Sequence, residues 1–121
     1  MTVVVIMLGG ALGAITRYGV GLWLSRHLAL FPLGTLVVNV VGAFLLSLLV
    51  SLGETRTTVP PLLRAALATG YLGSLTTFST FEVESAALIR EGSAWGASVY
   101  VLGNLVLGYG AVLLARYLVL R

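Results

Sequence analysis

The stretch Ser74-Leu75-Thr76-Thr77-Phe78-Ser79-Thr80-Phe81 packs five hydroxyls and two phenyl rings into one short segment. Two outcomes are open to it. Serine and threonine can bond back to a carbonyl one turn earlier and leave a helix unbroken. Alternatively the helix stops, because hydroxyl and β-branched residues following Gly70 and Gly73 are poor helix formers. Freed carbonyls then offer an oxygen cage for a cation, and a restarting helix presents an N-terminus that favours an anion. With two glycines just upstream, the break is the preferred reading. Phe78 and Phe81 are three apart and share a face of any helix they occupy. Either they pack against lipid and neighbouring helices, or their electropositive ring edges touch a small anion.

Other polar residues stand alone in apolar surroundings. Asn39 lies within Val37-Val38-Asn39-Val40-Val41. Its amide either ties two helices together, worth on the order of 1 kcal/mol, or donates N–H to a passing anion. Arg17 snorkels, pairs or faces water, and in the last case draws anions into a vestibule. Tyr100 and Asn104 are four apart and form a polar stripe on one helix. Glu82 and Glu84 follow the hydroxyl run, near a span end. There is no cysteine, which excludes disulfides, thiolate metal sites and Cys nucleophiles. The one histidine, His27, falls in a predicted loop without an acid partner. No phosphate-binding glycine loop or acidic metal pair is present. An enzyme is the reading these residues support least.

These groups must be positioned by membrane helices. The chain has 121 residues, 59% of them hydrophobic and 9% charged, with a mean hydropathy of +1.07. A soluble domain carries about a quarter charged residues. No charge lies between Arg26 and Glu54, between Arg64 and Glu82, or between Glu91 and Arg116. Such gaps approach or exceed the roughly 20 residues of a spanning helix. The expected architecture is one all-α transmembrane domain over residues 1–121, with spans at Val3–Leu24, Thr35–Leu52, Leu62–Ile89 and Ala94–Val119. Each is helical because lipid offers the backbone no other partner. Ser25–Phe31, Gly53–Thr58 and Arg90–Gly92 form the connections. The N-terminus has no basic region or cleavage site and reads as a retained span. Net charge is +3, all arginine over glutamate, without a basic cluster for nucleic acid.

Arg56, Arg64, Arg116 and Arg121 fall on one side of this topology and Arg26 and Arg90 on the other. That bias is small under the positive-inside rule. It leaves open a single orientation or insertion in both. The fifteen glycines include the pairs Gly9/Gly13 and Gly10/Ala14, which let helices approach closely. A homo-oligomer is the economical way for so thin a bundle to enclose a polar path. Trp23 and Trp95 read as interfacial anchors.

Three motifs in order carry a resemblance to the Fluc (CrcB-type) fluoride channel family. They are Gly9-Gly10-Ala11-Leu12-Gly13-Ala14 with Arg17-Tyr18, Gly34-Thr35-Leu36-Val37-Val38-Asn39 with Gly42, and Gly70-Tyr71-Leu72-Gly73 running through to Phe81. The resemblance covers nearly the whole chain. It implies a multi-pass protein of a prokaryotic cytoplasmic membrane that passively exports F⁻ and relieves its toxicity. It implies an antiparallel, dual-topology homodimer with two pores in membrane lipid. The pore residues it points to are Asn39, Phe78, Phe81, Tyr100 and Asn104, with the hydroxyls of Thr77 and Ser79. Arg17 and Glu84 match vestibule positions. A central structural Na⁺ would sit on backbone carbonyls of Gly73 and Thr76. Gly108 stands where the family often has a hydroxyl, so the far end of the polar track departs from the pattern.

Two rival functions remain. A proton-coupled small multidrug exporter is also a four-span dimer, but it wants a carboxylate deep in the membrane, and the first, second and fourth spans have none. A non-transporting assembly subunit would need neither paired phenylalanines nor a helix break.

Overall fold

The computed structural model describes residues 1–27, 31–55 and 59–121, all of whose regular structure is helical. Arg56 and part of each of the first two predicted connections lie outside these residues. Among the described residues, three helices are long and apolar enough to cross a membrane: α1 (Thr2–His27), α2 (Leu33–Glu54) and α6 (Ala94–Leu120). Between α2 and α6 the chain is helical in pieces. A short α3 (Pro61–Arg64) opens with Pro61 in its first turn, where a missing N–H costs nothing. It continues into a π-helical stretch, Ala65–Leu72, and then α4 (Gly73–Leu75). After Thr76 and Thr77, α5 (Phe78–Arg90) begins.

The helices run past the predicted spans because polar residues at their ends bond back into them. Ser25 Oγ donates to the Leu22 carbonyl at 3.0 Å and His27 Nδ1 to the Trp23 carbonyl at 2.8 Å. His27 is therefore the last residue of α1 and not a loop residue. Gly53 and Glu54 likewise belong to α2. The predicted turn at Arg90–Gly92 is a Schellman closure. Gly92 takes φ +79°, its N–H bonds the Ile89 carbonyl, and the Ser93 N–H bonds the Leu88 carbonyl.

Apolar residues face both inward, as Val38, Leu72, Leu75, Phe81 and Leu88 do, and outward. Met7, Leu8, Leu12, Ile15, Leu105 and Val106 face outward, whereas Thr35, Ser47 and Ser51 are buried. Between helices, close backbone approach replaces hydrophobic drive. Gly9 and Gly13 are the buried residues of α1. A Cβ on Gly9 would collide with the Ala66 carbonyl, and one on Gly13 with the Tyr71 carbonyl. The small-residue stripe thus seats α1 on the π-helical stretch of its own chain. Gly70 answers from the other side, with its Cβ position 2.8 Å from the Ile6 carbonyl. α2 lies along α6, pinned by Ser47 Oγ donating to the Val112 carbonyl at 2.9 Å. Trp23 and Trp95 are both exposed near helix ends.

Candidate functional site

Helical bonding stops at Thr76 and Thr77, which are extended (φ −80°, ψ 151° and φ −150°, ψ 122°). Both are β-branched and tolerate this backbone well. Thr76 stays tied to the helix behind it, its N–H at 3.1 Å and its Oγ1 at 3.0 Å from the Leu72 carbonyl. Thr77 belongs to the helix ahead. Its Oγ1 caps α5 by accepting the Thr80 N–H at 3.3 Å, and it donates to Thr80 Oγ1 at 2.9 Å. Room for the interruption comes from Gly42, where a Cβ would strike the Thr76 methyl.

Asn39 on α2 closes on the interruption from the side. Its Oδ1 accepts the Thr77 N–H at 2.8 Å, and its Nδ2 donates to the Thr77 carbonyl at 3.1 Å. The second Nδ2 proton goes to Asn104 Oδ1 at 3.0 Å. Asn104 Nδ2 in turn donates to the Tyr100 carbonyl at 3.0 Å. The stripe read from the Tyr100/Asn104 spacing is thus linked by a hydrogen bond and reaches α2.

An aromatic column runs beside this network. Phe78 and Phe81 have ring centroids 5.7 Å apart, Phe81 and Tyr100 5.5 Å, and Tyr100 meets Phe31 edge-on at 5.3 Å. The two phenylalanines are not equivalent. Phe81 is 7% exposed and part of the core, while Phe78 is 68% exposed. Tyr100, fully buried, donates to Glu84 Oε2 at 2.6 Å, and Thr35 Oγ1 donates to Glu84 Oε1 at 3.0 Å. On the opposite flank Arg17 Nε donates to the Ser74 carbonyl at 3.1 Å, so one charge is anchored directly on the segment before the interruption.

Two cavities follow from this arrangement. A cleft of about 630 Å³ is lined by Asn39, Thr76, Thr77, Phe78, Phe81 and Asn104 among others, without a charged side chain. Gly73 and Gly108 also line it, and nothing lies within 4 Å of a Cβ placed on Gly108. A second cavity of about 450 Å³ holds Arg17, Thr35, Thr80 and Glu84. Apart from Tyr100 and Ser79, which line neither, the singled-out residues divide between an uncharged cleft and a charged one. Ser79 is exposed and stands outside the hydrogen-bond network among the described residues. Three participants had not been singled out for a role: Thr35, Phe31 and the Ser74 carbonyl. Thr35 carried a signal, since it precedes Asn39 by four and so shares its helix face.

Fold and site together define a multi-pass helical membrane protein with an uncharged, largely apolar cleft at an interrupted helix. The chain matches the family described as CrcB-like protein, Camphor Resistance (CrcB), over residues 4–116, and it belongs to that family. It is 46% identical over 121 residues to the Fluoride-specific ion channel FluC of Solibacter usitatus (strain Ellin6076), covering 96% of this chain and 99% of the relative. It is 40% identical over 118 residues to the protein of the same name from Hydrogenobaculum sp. (strain Y04AAS1), covering 98% and 97%. The FluC of Oceanobacillus iheyensis is 44% identical over 108 residues, covering 89% and 83%.

Proposed function

We propose that this protein is a fluoride channel that passively exports F⁻ across the cytoplasmic membrane of a prokaryote. The observation that carries the reading is the uncharged cleft at Thr76–Thr77, lined by amide, hydroxyl and phenyl groups, in a chain similar to proteins named as fluoride-specific channels. HF crosses lipid uncharged and dissociates in a near-neutral cytoplasm. An interior-negative potential then drives the anion outward by about 2.3 kcal/mol per 100 mV. No fuel is needed and no chemical step is catalysed.

A fixed cation at the narrowest point would trap fluoride, whereas several weak contacts let it leave as well as enter. Arg17 lines the second cavity and not the phenylalanines' cleft. Along the cleft, ring edges of Phe78 and Phe81 offer positive C–H dipoles. The reading also assigns Tyr100, Asn104 and the hydroxyls of Thr77 and Ser79 to the pore; of these Asn104 and Thr77 line the cleft, while the Tyr100 hydroxyl is donated to Glu84.

The reading takes residues 1–121 as a single four-span domain whose third span, Leu62–Ile89, is broken near mid-membrane. The chain forms an antiparallel, dual-topology homodimer with two pores. Exposure of Phe78, Ser79 and Gly73 supports a second copy over this face. A structural Na⁺ fits carbonyls of Gly73 and Thr76, because the donors that would close helical bonds onto both are diverted. The Thr77 N–H turns to Asn39 and the Thr80 N–H to Thr77 Oγ1. Oxygen-only ligation suits a hard cation. When bound, the ion supplies fixed positive charge that holds the interruption's carbonyls together.

Efflux from proteoliposomes, followed with a fluoride electrode, tests the function. Fluoride release on adding a potassium ionophore, without matching chloride release, is expected. No release, or equal chloride release, overturns the proposal.

A further inference from the structure

We infer that an anionic phospholipid binds where α2 and the π-helical stretch part, with one acyl chain in the groove between them and its phosphate on Arg64. The groove, of about 280 Å³, is lined by four leucines of α2, from Leu45 to Leu52, and by Leu67, Tyr71 and Leu72 opposite. The Tyr71 hydroxyl turns away to Thr16 Oγ1 on α1, at 3.4 Å, so the walls are hydrocarbon. Leu72 is buried, whereas Leu45 and Leu67 are exposed, and the groove therefore opens outward. In lipid there is no water to expel from such a groove, but leaving it unfilled forfeits dispersion contact along both walls. It follows α2 for two turns, about 10 Å. A helix laid along that length would need roughly three times the volume, while a single acyl chain is thin enough to enter.

The headgroup is chosen by charge. Arg64 ends α3, three residues before Leu67. Its Nη1 lies 3.9 Å from the Cβ position of Gly53, next to Leu52 of the groove wall. The guanidinium thus spans from α3 to the end of α2, over the end of the groove at headgroup depth. Of the other described arginines at this end, Arg116 pairs with Glu54 at 3.4 Å and Arg121 lies over the Tyr117 ring at 5.2 Å. Glu54 is thereby engaged, and Arg64 has no charged partner among the described residues. A guanidinium presents a fork that matches phosphate oxygens. A lipid with net negative charge is favoured over a zwitterionic one, whose own ammonium competes for the same phosphate.

Photolabelling of the full-length protein in phosphatidylcholine nanodiscs tests this. The probe is a trace of phosphatidylglycerol carrying a diazirine on one acyl chain, with labelled peptides mapped by mass spectrometry. Label should concentrate on Leu45–Leu52 and Leu67–Leu72, at least about fivefold above that from phosphatidylcholine carrying the same chain. Arg64→Gln should bring the two probes level, and Arg64→Lys should keep part of the difference. Arg64 is exposed, so both variants should unfold at the midpoint of the unsubstituted chain. Leu67→Trp, which fills an open part of the groove, should lower label from both probes. Equal label from the two probes, or phosphatidylglycerol label unchanged in Arg64→Gln, overturns the assignment of the headgroup. No label in the groove from either probe overturns the inference, and crosslinking of two chains through Leu48→Cys would then name a second copy as the occupant. Binding is the readout, so the result is independent of whether the protein conducts fluoride.

Discussion

The phenol of Tyr100 and the carboxylate of Glu84 are joined at 2.6 Å across the α5–α6 contact, with Thr35 completing the carboxylate from α2. Tyr100 is fully buried, with Phe81 on one side and Phe31 edge-on at the other. Its ring thus stands inside the aromatic column, while its hydroxyl is one of the two donors to Glu84. Removing it leaves Glu84 Oε2 half-buried without that partner. Tyr100→Phe should destabilise the protein by about 1–3 kcal/mol, seen as a lower midpoint of thermal unfolding in detergent. Thr35→Val should act in the same direction. Their double variant should cost less than the sum, because both donors serve one carboxylate.

The phenylalanines should separate on two readouts. Phe78 is exposed on the isolated chain, while Phe81 packs with Leu88, Ala97 and Tyr100. Phe78→Ile and Phe81→Ile should each suppress fluoride flux, because both lose the ring edge. Only Phe81→Ile should also lower the unfolding midpoint, by an amount matching about 1–2 kcal/mol. Flux unchanged in both variants would remove the aromatics from the mechanism.

Glycine positions differ in what a side chain would meet. Gly13→Leu must push against the Tyr71 carbonyl, and Gly42→Ala against the Thr76 methyl. The first should prevent accumulation of a monodisperse protein. The second acts on the interruption itself and should cut flux, as overpacking costs about 1–3 kcal/mol. Gly108 has open space where its Cβ would stand, and it lines the uncharged cleft. Gly108→Ser should therefore fold as well as the unsubstituted chain and extend the donor track beyond Asn104, with fluoride efflux equal or faster. A slower channel would show that the track does not continue through this position.

How far the sequence could be read depended on the range of the forces involved. Charge-free stretches placed α2 and α6 to within a turn, since charge in lipid is costly. Gly70, Gly73 and the hydroxyl run marked the place where Thr76 and Thr77 turn out of helix, because that choice is largely local. The π-helical register of Ala65–Leu72 carried no such local mark. It accompanies the close seat that α1 offers through Gly9 and Gly13, which is a tertiary effect. Asn39 was legible as an amide in apolar surroundings that needs partners, but its three partners are 38 and 65 residues away and no spacing rule reaches them. Phe31 was missed for a related reason: its ring matters through Tyr100, not through neighbours in sequence.

Orientation in the membrane gives the last prediction, and it turns on few charges. Thr2, Glu54, Arg64, Arg116 and Arg121 stand at one end of the helices, and Arg26 and Arg90 at the other. Arg116 pairs with Glu54 at 3.4 Å, but carboxylates count little toward orientation, so the bias rests on the arginines. So slight a bias supports insertion both ways, as an antiparallel dimer requires. A single cysteine at Thr2, exposed at the start of α1, should then be labelled by an impermeant maleimide from both sides of the membrane. Arg26→Gln with Arg90→Gln removes the positive charge from one end and should bias labelling strongly to one side. Flux should fall with it, since chains of one orientation cannot pair antiparallel. Restoring flux by co-expressing a chain with the opposite charge bias would tie the loss to pairing. Labelling from one side only in the unsubstituted protein, with full flux, would reject the antiparallel dimer.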